Sequence, residues 1–433
     1  MSYLWVFRVF SQFIRWGTIY DHGDDDVRSG LIIFARGKLL CADLSKNLTS
    51  AQKYAVLSHR LVLDSTGTCH ILSPDNPFAV MEREEEQISN HMRVCASIGD
   101  GVETIRGITP SEPILSEAAS LVMRDGSFKL ADALVEVLSG YNINPGDRAE
   151  LLVSAFFTWA RDRAVSAKPF DAFHGQLSRH FSVLDLLRYL FSKSTFTSMS
   201  ASFPSLCGTN TTRQTFGQVF EGTFMHFTHF IKPQARKLLA RAYLPLFMAR
   251  GAAVLGTNCR PGVDIVYPYL YGSAELSSKN VGFIMVQVMD NASLESQDAI
   301  FKKMDPFACG LLHDSDCVYG NFPIPIIRIV FALCHRGSVP LGVTRRTYTS
   351  PSLGSSYLDD GGQSKFTSYD FWCSGVDGGI IGPVEEAPES WRALVERVDP
   401  WKAFYNDALD SDMLRSQFPA CGDKHSHFGT WAA

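Results

Sequence analysis

Asp264 and Gln287 are the residues in this chain whose setting asks most clearly for a chemical explanation. Asp264 lies in the segment Arg260-Pro-Gly-Val-Asp-Ile-Val-Tyr-Pro, and Gln287 in Gly282-Phe-Ile-Met-Val-Gln-Val-Met, both otherwise apolar runs of strand length. Burying a carboxylate is costly unless it is paired, hydrogen-bonded or bound to a metal. Pro261-Gly262 turns the chain just before Asp264 and keeps that carboxylate close to the surface. If the two runs are hairpin neighbours, Asp264 and Gln287 share one end of a sheet, and Glu221 on a predicted upstream helix is a candidate second acid. Oxygen ligands meeting at a strand end suit magnesium, which takes carboxylates and retains water. Phosphodiester cleavage uses such an ion to neutralise developing charge and to activate water. Each residue also has an ordinary structural role open to it. Asp264 can cap the turn, Gln287 can satisfy backbone groups at a strand end, and Glu221 can be a solvated helix residue.

Other groupings are less specific. Cys309, His313 and Cys317, with Asp314 and Asp316 beside them, come nearest to a metal-ligand cluster, but a fourth ligand or a defined open position is missing, and buried thiols beside a surface histidine are the alternative. His226 and His229 stand three apart on a predicted helix, a ligand-like spacing that packed histidines also show. Arg236, Lys237, Arg241 and Arg250 either form a basic helix face toward phosphate or are simply solvated. No GxxxxGK[ST], GxSxG or HExxH segment occurs.

Asp264 and Gln287 belong to a stretch whose hydrophobic pattern predicts an α/β core. Helices are expected over Phe216 to Ile231 and from Pro233 to about Met248, then strands over Ala252 to Leu255, Val263 to Tyr271 and Val281 to Met289. The polar turn Gly272 to Asn280 makes the last two strands a hairpin. A helix over Ser293 to Met304 and a buried strand over Pro325 to Leu333 complete the order. Upstream, residues 30 to 75 read as short strands, 78 to 98 as a charged helix, and 113 to 192 as helices, among them one opened by Pro145 with Leu151, Leu152, Ala155, Phe156 and Trp159 as its buried stripe. A Ser-, Thr- and Gly-rich stretch at 195 to 213 marks a boundary. The expected organisation is a small mixed region at 1–110, a helical module at 111–205, an α/β core at 206–345 and an irregular C-terminal region at 346–433.

A chain of 433 residues can build a sizeable core, and its 45% hydrophobic and 20% charged content is that of a globular protein. With a net charge of −5, nothing in the overall balance argues for nucleic acid, so DNA contact would need a local basic patch. Ten cysteines without a CxxC pair or a repeating spacing suit reduced thiols in a cytoplasmic or nuclear protein. Leu4, Phe7, Phe10 and Ile14 give the N-terminus an amphipathic face, which suits a packed first element, a membrane surface or a transit peptide. Arg8 and Arg15 make it a poor signal peptide or spanning helix, so no integral membrane association is expected.

Taken together, Arg250-Gly-Ala-Ala-Val-Leu-Gly, Pro261-Gly-Val-Asp-Ile-Val-Tyr-Pro and Gly282-Phe-Ile-Met-Val-Gln-Val-Met-Asp-Asn resemble the PD-(D/E)xK, or restriction-endonuclease-like, superfamily. The phrases are especially similar to the nuclease-like proteins that accompany transposons and Crinkler-type effectors in mushroom-forming fungi. His229-Phe-Ile-Lys, Phe156-Phe-Thr-Trp and Tyr369-Asp-Phe-Trp also fit, so the resemblance spans about residues 150 to 375. It implies an αβββαβ core after a helical N-terminal half, a nuclease-derived function on DNA, and Mg²⁺ as the cofactor of an active form. Asp264 then matches the metal-binding acid, Gln287 the variable second ligand, and Glu221 the helix acid. Met289 stands where the pattern has lysine, and a thioether cannot position water or stabilise transition-state charge. That loss, about 3–4 kcal/mol by analogy with one oxyanion donor, makes the site degenerate unless Lys279, Lys302 or Lys303 reaches in. The alternative is a non-catalytic interaction or scaffold protein whose helical half binds a protein partner.

Overall fold

The structure, a computed structural model, describes residues 25–41, 47–63, 79–98, 105–140, 148–167, 180–203, 205–207, 214–233, 236–256, 262–289, 296–317, 322–333, 341–348, 366–376 and 378–398. Helices in the N-terminal half cover Asp25–Leu40 (α1), Ser50–Ser58 (α2), Ala79–Asn90 (α3), Pro113–Arg124 (α4), Leu130–Gly140 (α5), Arg148–Ser166 (α6), Val183–Leu190 (α7) and Lys193–Ala201 (α8). The helical reading of 113 to 192 therefore agrees with the fold over the described residues of that span. The amphipathic face from Leu4 to Ile14 and the helix start at Pro145 lie outside the described residues.

Among the described residues between 30 and 75, helices replace the expected strands. Ile32, Ala35 and Leu39 are buried at helical spacing along α1, and Tyr54 to Leu57 lie inside α2. Short apolar runs do not distinguish the two states by period. The cap does: Thr49 and Gln52 form a reciprocal capping box at the start of α2, a Thr-x-x-Gln signature. The charged helix expected over 78 to 98 stops at Asn90, Met92 turns out of it at φ 62°, and Val94–Ile98 (β1) pairs antiparallel with Ile105–Ile108 (β2).

The larger sheet draws on Ser205–Cys207 (β3), Thr223–Phe224 (β4), His229–Ile231 (β5), Ala252–Leu255 (β6), Ile265–Tyr271 (β7), Val281–Met289 (β8), Phe322–Ala332 (β9), Leu341–Tyr348 (β10) and Phe366–Ser374 (β11). Its order is β3-β10-β11-β9-β8-β7-β6-β5, with β4 beside β7. Strands β6, β7 and β8 form an antiparallel succession, and β9 lies parallel to β8. The helix expected from Phe216 to Ile231 is broken: Phe216–Phe220 (α9) is followed by β4 and β5. Pro233 to Met248 yields two 3-10 turns and the short helix Leu244–Ala249 (α10). Helix Gln297–Lys303 (α11) connects β8 to β9 as expected. Residues read as an irregular C-terminal region instead supply β11, an interior strand of the sheet, and helices Gly382–Glu386 (α12) and Pro388–Val398 (α13).

Strand side chains alternate between the two faces. Tyr267, Ile284 and Phe331 point toward α6, where Phe157 stacks on Tyr267 at 4.3 Å between ring centroids and meets Phe331 edge-on. Val266, Met285, Arg328 and Asp370 stand in one row on the opposite face. The Arg328 guanidinium donates to both Asp370 carboxylate oxygens at 2.7 and 2.5 Å, and to the Phe301 and Met304 carbonyls at 2.6 and 3.2 Å. That arginine thus holds the C-terminal end of α11 against the sheet and satisfies helix-end carbonyls that would otherwise be buried unpaired. One cluster of buried side chains runs from Leu39 to Leu394, taking in the helical layer and the sheet together.

Candidate functional site

One pleat row beyond Arg328, toward the open end of the β7–β8 hairpin, Asp264 and Gln287 come together. Asp264 N–H donates to the Val286 carbonyl at 2.8 Å, which fixes the register of the strand end. Asp264 Oδ2 then accepts from Gln287 Nε2 and from the Val288 N–H, each at 2.6 Å. The carboxylate oxygen replaces the backbone acceptor that a continuing β7 would have presented. Gln287 Nε2 also donates to the Val288 carbonyl at 3.2 Å, whereas its Oε1 is buried without a hydrogen bond. Gly262, at φ 101°, makes the turn into this strand, and a Cβ there would overlap the Lys303 carbonyl oxygen at the end of α11.

The other carried-over residues fall differently. Glu221 follows α9 and is exposed; Gly222 next to it accepts from Gly272 N–H at 2.7 Å, at the far end of β7. Seven residues of strand at about 3.3 Å each put it about 23 Å from Asp264, so it joins no common site. Lys279 lies in the hairpin tip at that same far end, where its carbonyl accepts from Arg241 at 3.1 Å. Lys302 and Lys303, both exposed, are at the Asp264 end, with the Lys303 backbone against Gly262. Met289 shares the face of Gln287 two residues on, packed against the core.

Glu221 therefore supplies no second acid beside Asp264 and Gln287, and among the described residues no three His, Cys, Asp or Glu side chains gather to hold an ion. The oxygens present still suit a hard cation. Asp264 offers a carboxylate and Gln287 Oε1 is an orphaned buried acceptor; turning the amide over would bring that oxygen to the side of Asp264.

The remaining sequence candidates have structural roles. Cys309 is buried and its thiol donates to the Lys303 carbonyl, His313 is exposed, and Asp316 accepts from Arg241 at 3.2 Å. Arg241 is buried, donates to the Val281 carbonyl at 3.1 Å and lies over the Phe322 ring, so it offers no phosphate-facing charge. Arg250 donates to the Ser111 carbonyl, and the side chains of Arg236 and Lys237 lie outside the described ones. His226 and His229 share no helix. An open cleft of about 500 Å³ lined by Leu184, Phe196, Thr215, Gln218 and Glu221 lies at the end of the sheet away from Asp264.

The fold also makes a contact that no local pattern announces, because its partners are 118 residues apart: Ser111 Oγ lies 2.8 Å from His229 Nε2. Thr228 Oγ1 donates to the Gly251 carbonyl at 3.2 Å and lies 3.0 Å from His229 Nδ1, which makes Nδ1 the protonated nitrogen and Nε2 the acceptor for Ser111. This is the hydrogen-bond order of a serine nucleophile and its base. The electrostatics oppose that use. Burial, then Arg250 and Arg60, lower the His229 pKa to about 3, so the ring cannot take the hydroxyl proton near neutral pH.

Comparison with protein-family models, curated proteins and solved structures returns no match to this chain. No helix among the described residues is long and apolar enough to cross a membrane.

Proposed function

We propose that this chain is a nuclease-derived protein with a restriction-endonuclease-like core, whose site has kept a divalent-cation locus and lost cleavage. The contact between Asp264 and Gln287 carries the reading, since two side chains from separate strands meet at one strand end. The succession α10-β6-β7-β8-α11-β9, antiparallel through β8 and parallel at β9, supports it as the αβββαβ order of that superfamily. A bound Mg²⁺ would supply charge neutralisation and water activation toward a DNA phosphodiester. Asp264 would anchor such an ion and Gln287 would add an amide oxygen, while Met289 brings no charge to the place of the lysine.

In a supercoiled-plasmid assay with Mg²⁺ or Mn²⁺ the native protein is expected to nick DNA no faster than the metal-only background, and Met289→Lys to cleave about a hundredfold or more above that background. Asp264→Asn added to Met289→Lys should abolish the gain. An inert Met289→Lys protein that remains folded and binds metal would remove the chemistry from this reading.

A second reading has its own observation. Asp264 already caps two donors and Met289 is packed as an apolar residue, which is what a scaffold protein that retained only the core would show. Calorimetry separates the two. Divalent binding lost in Asp264→Asn supports the cation locus, and no binding by the native protein supports the scaffold, with the helical half as its partner surface. Stability gives a further check: Asp264→Ala leaves the Val288 N–H unmet and should cost about 1–3 kcal/mol in urea unfolding, whereas Asp264→Asn, still an acceptor there, should cost less.

A further inference from the structure

The strand entry from Met225 to Phe230 is gripped from four directions. Arg60, just after α2, donates Nε–H to the Thr228 carbonyl, and its own carbonyl accepts from Phe230 N–H at 3.0 Å. Arg161 on α6 donates to the Phe227 carbonyl at 2.8 Å. Ser111, ahead of α4, meets His229, and the Gly251 carbonyl after α10 accepts from the Thr228 and His229 N–H groups at 2.7 and 3.2 Å. At this place the helical layer is fastened to the β5 edge of the sheet.

The fastening is crowded with bases that burial keeps neutral. His59 and His229 are only 1% and 3% exposed; His226 lies over Gly251 and keeps some contact with water. The charges acting on them are cationic: Arg250 and Arg60 on His229, Arg93 on His59, and Arg161 on His226, while His91 and His180 add further titratable rings. The nearby acids serve arginines. Asp162 accepts from Arg60 at 2.9 Å and from Arg161 at 2.7 Å, and Glu117 approaches Arg161 at 3.7 Å and Arg124 at 3.5 Å. Glu112, beside Ser111 at the start of α4, is buried as well.

We propose that residues 225–230 are an acid-labile latch, the point at which the helical layer parts from the sheet edge in mildly acidic solution. The inference is independent of the cation locus. Its direction follows from proton linkage. Burial, then the cations, lower His229 to about 3, and burial, partly offset by the Ala55 carbonyl, lowers His59 to about 4, from an ordinary 6.5. An open form with hydrated rings takes up protons below about 6.5 and the closed form does not, so the latch is closed above that pH and weakens as pH falls. At pH 5 opening is favoured about thirtyfold for each histidine exposed, or about a thousandfold for His59 and His229 together. Burial pushes the Asp162 carboxyl upward, but Arg60 and Arg161 outweigh it and keep it below the usual range, so it stays charged throughout this window. Strands β8, β9 and β11 contain no histidine and lack this proton-linked drive.

Hydrogen exchange of the full chain at pH 7.5 and 5.0, with times scaled for intrinsic amide chemistry, tests the latch. Amides of residues 54–61 and 225–231 should lose protection a hundred- to a thousandfold at pH 5.0 while β8, β9 and β11 keep theirs. His229→Asn keeps an amide donor at the Nδ1 position toward Thr228, gives up the Ser111 contact and carries no titrating ring, and should shrink the acid effect about thirtyfold. If that variant does not fold, His59→Gln provides the same readout. Unchanged protection at the junction, equal loss at the junction and the sheet centre, or a full acid response in the folded variant would each overturn the proposal.

Discussion

Arg328→Met is expected to cost about 3–5 kcal/mol, enough to leave much of the protein unfolded at 37 °C, because it strands the Asp370 carboxylate in the middle of the sheet. Both side chains of this pair are fully buried, and Arg328 is the donor to both Asp370 oxygens. A buried carboxylate deprived of its arginine must stay charged without that counter-charge or take up a proton, and either choice favours the unfolded chain. The double variant Arg328→Met/Asp370→Leu removes the stranded charge and should recover part of the loss. Recovery should be incomplete, since the Phe301 and Met304 carbonyls at the end of α11 also lose their donor. Urea unfolding followed by circular dichroism should rank native above double above single. A single variant less than 1 kcal/mol below the native protein would show that the pair does not carry the sheet centre.

Gly262→Ala is expected to lower stability by about 2–4 kcal/mol, combining left-handed backbone strain with overpacking. At φ 101° an alanine is strained, and its Cβ would be driven into the Lys303 carbonyl, a backbone group that α11 and Arg328 hold in place. The same substitution at Gly30 or Gly37 should have the opposite sign. Both lie inside α1 with open space where a Cβ would go, and alanine there should add about 0.5–1 kcal/mol each. Because Gly262 leads directly into Asp264, its variant should also weaken any divalent binding that calorimetry detects in the native protein. Thermal melts of the three variants side by side provide the check. A neutral Gly262→Ala would mean that the turn can relax without moving α11.

What the text made legible depended on range. The β6 to β9 succession was readable because each strand is a compact apolar run between turn residues, and its hydrophobic pattern survives burial on both faces. Leu31 to Phe34 and Tyr54 to Leu57 misled, since a short run of large apolar residues packs equally well as strand or helix, and only the Thr49–Gln52 cap favoured helix at the second. Phe216 to Ile231 misled in the other direction: its aromatic residues recur at helical spacing, yet sheet partners at Tyr271 and Ala252 claim β4 and β5. The strand β11 was hidden because its flanks are polar, and its place between β9 and β10 comes from contacts distant in the chain.

Residue types and spacing alone established an α/β chain and the strand pair bearing Asp264 and Gln287. These follow from local pattern, where burial of apolar residues at a fixed period leaves a readable trace. The folded arrangement settled which acids and cations can meet. It joined Asp264 to Gln287 through strand register, sent Glu221 and Lys279 to the opposite end of the hairpin, and brought Ser111, Arg60 and Arg161 onto the entry to β5. Such meetings depend on topology and on the cost of leaving a buried polar group without a partner, and neither is encoded within any short stretch of residues.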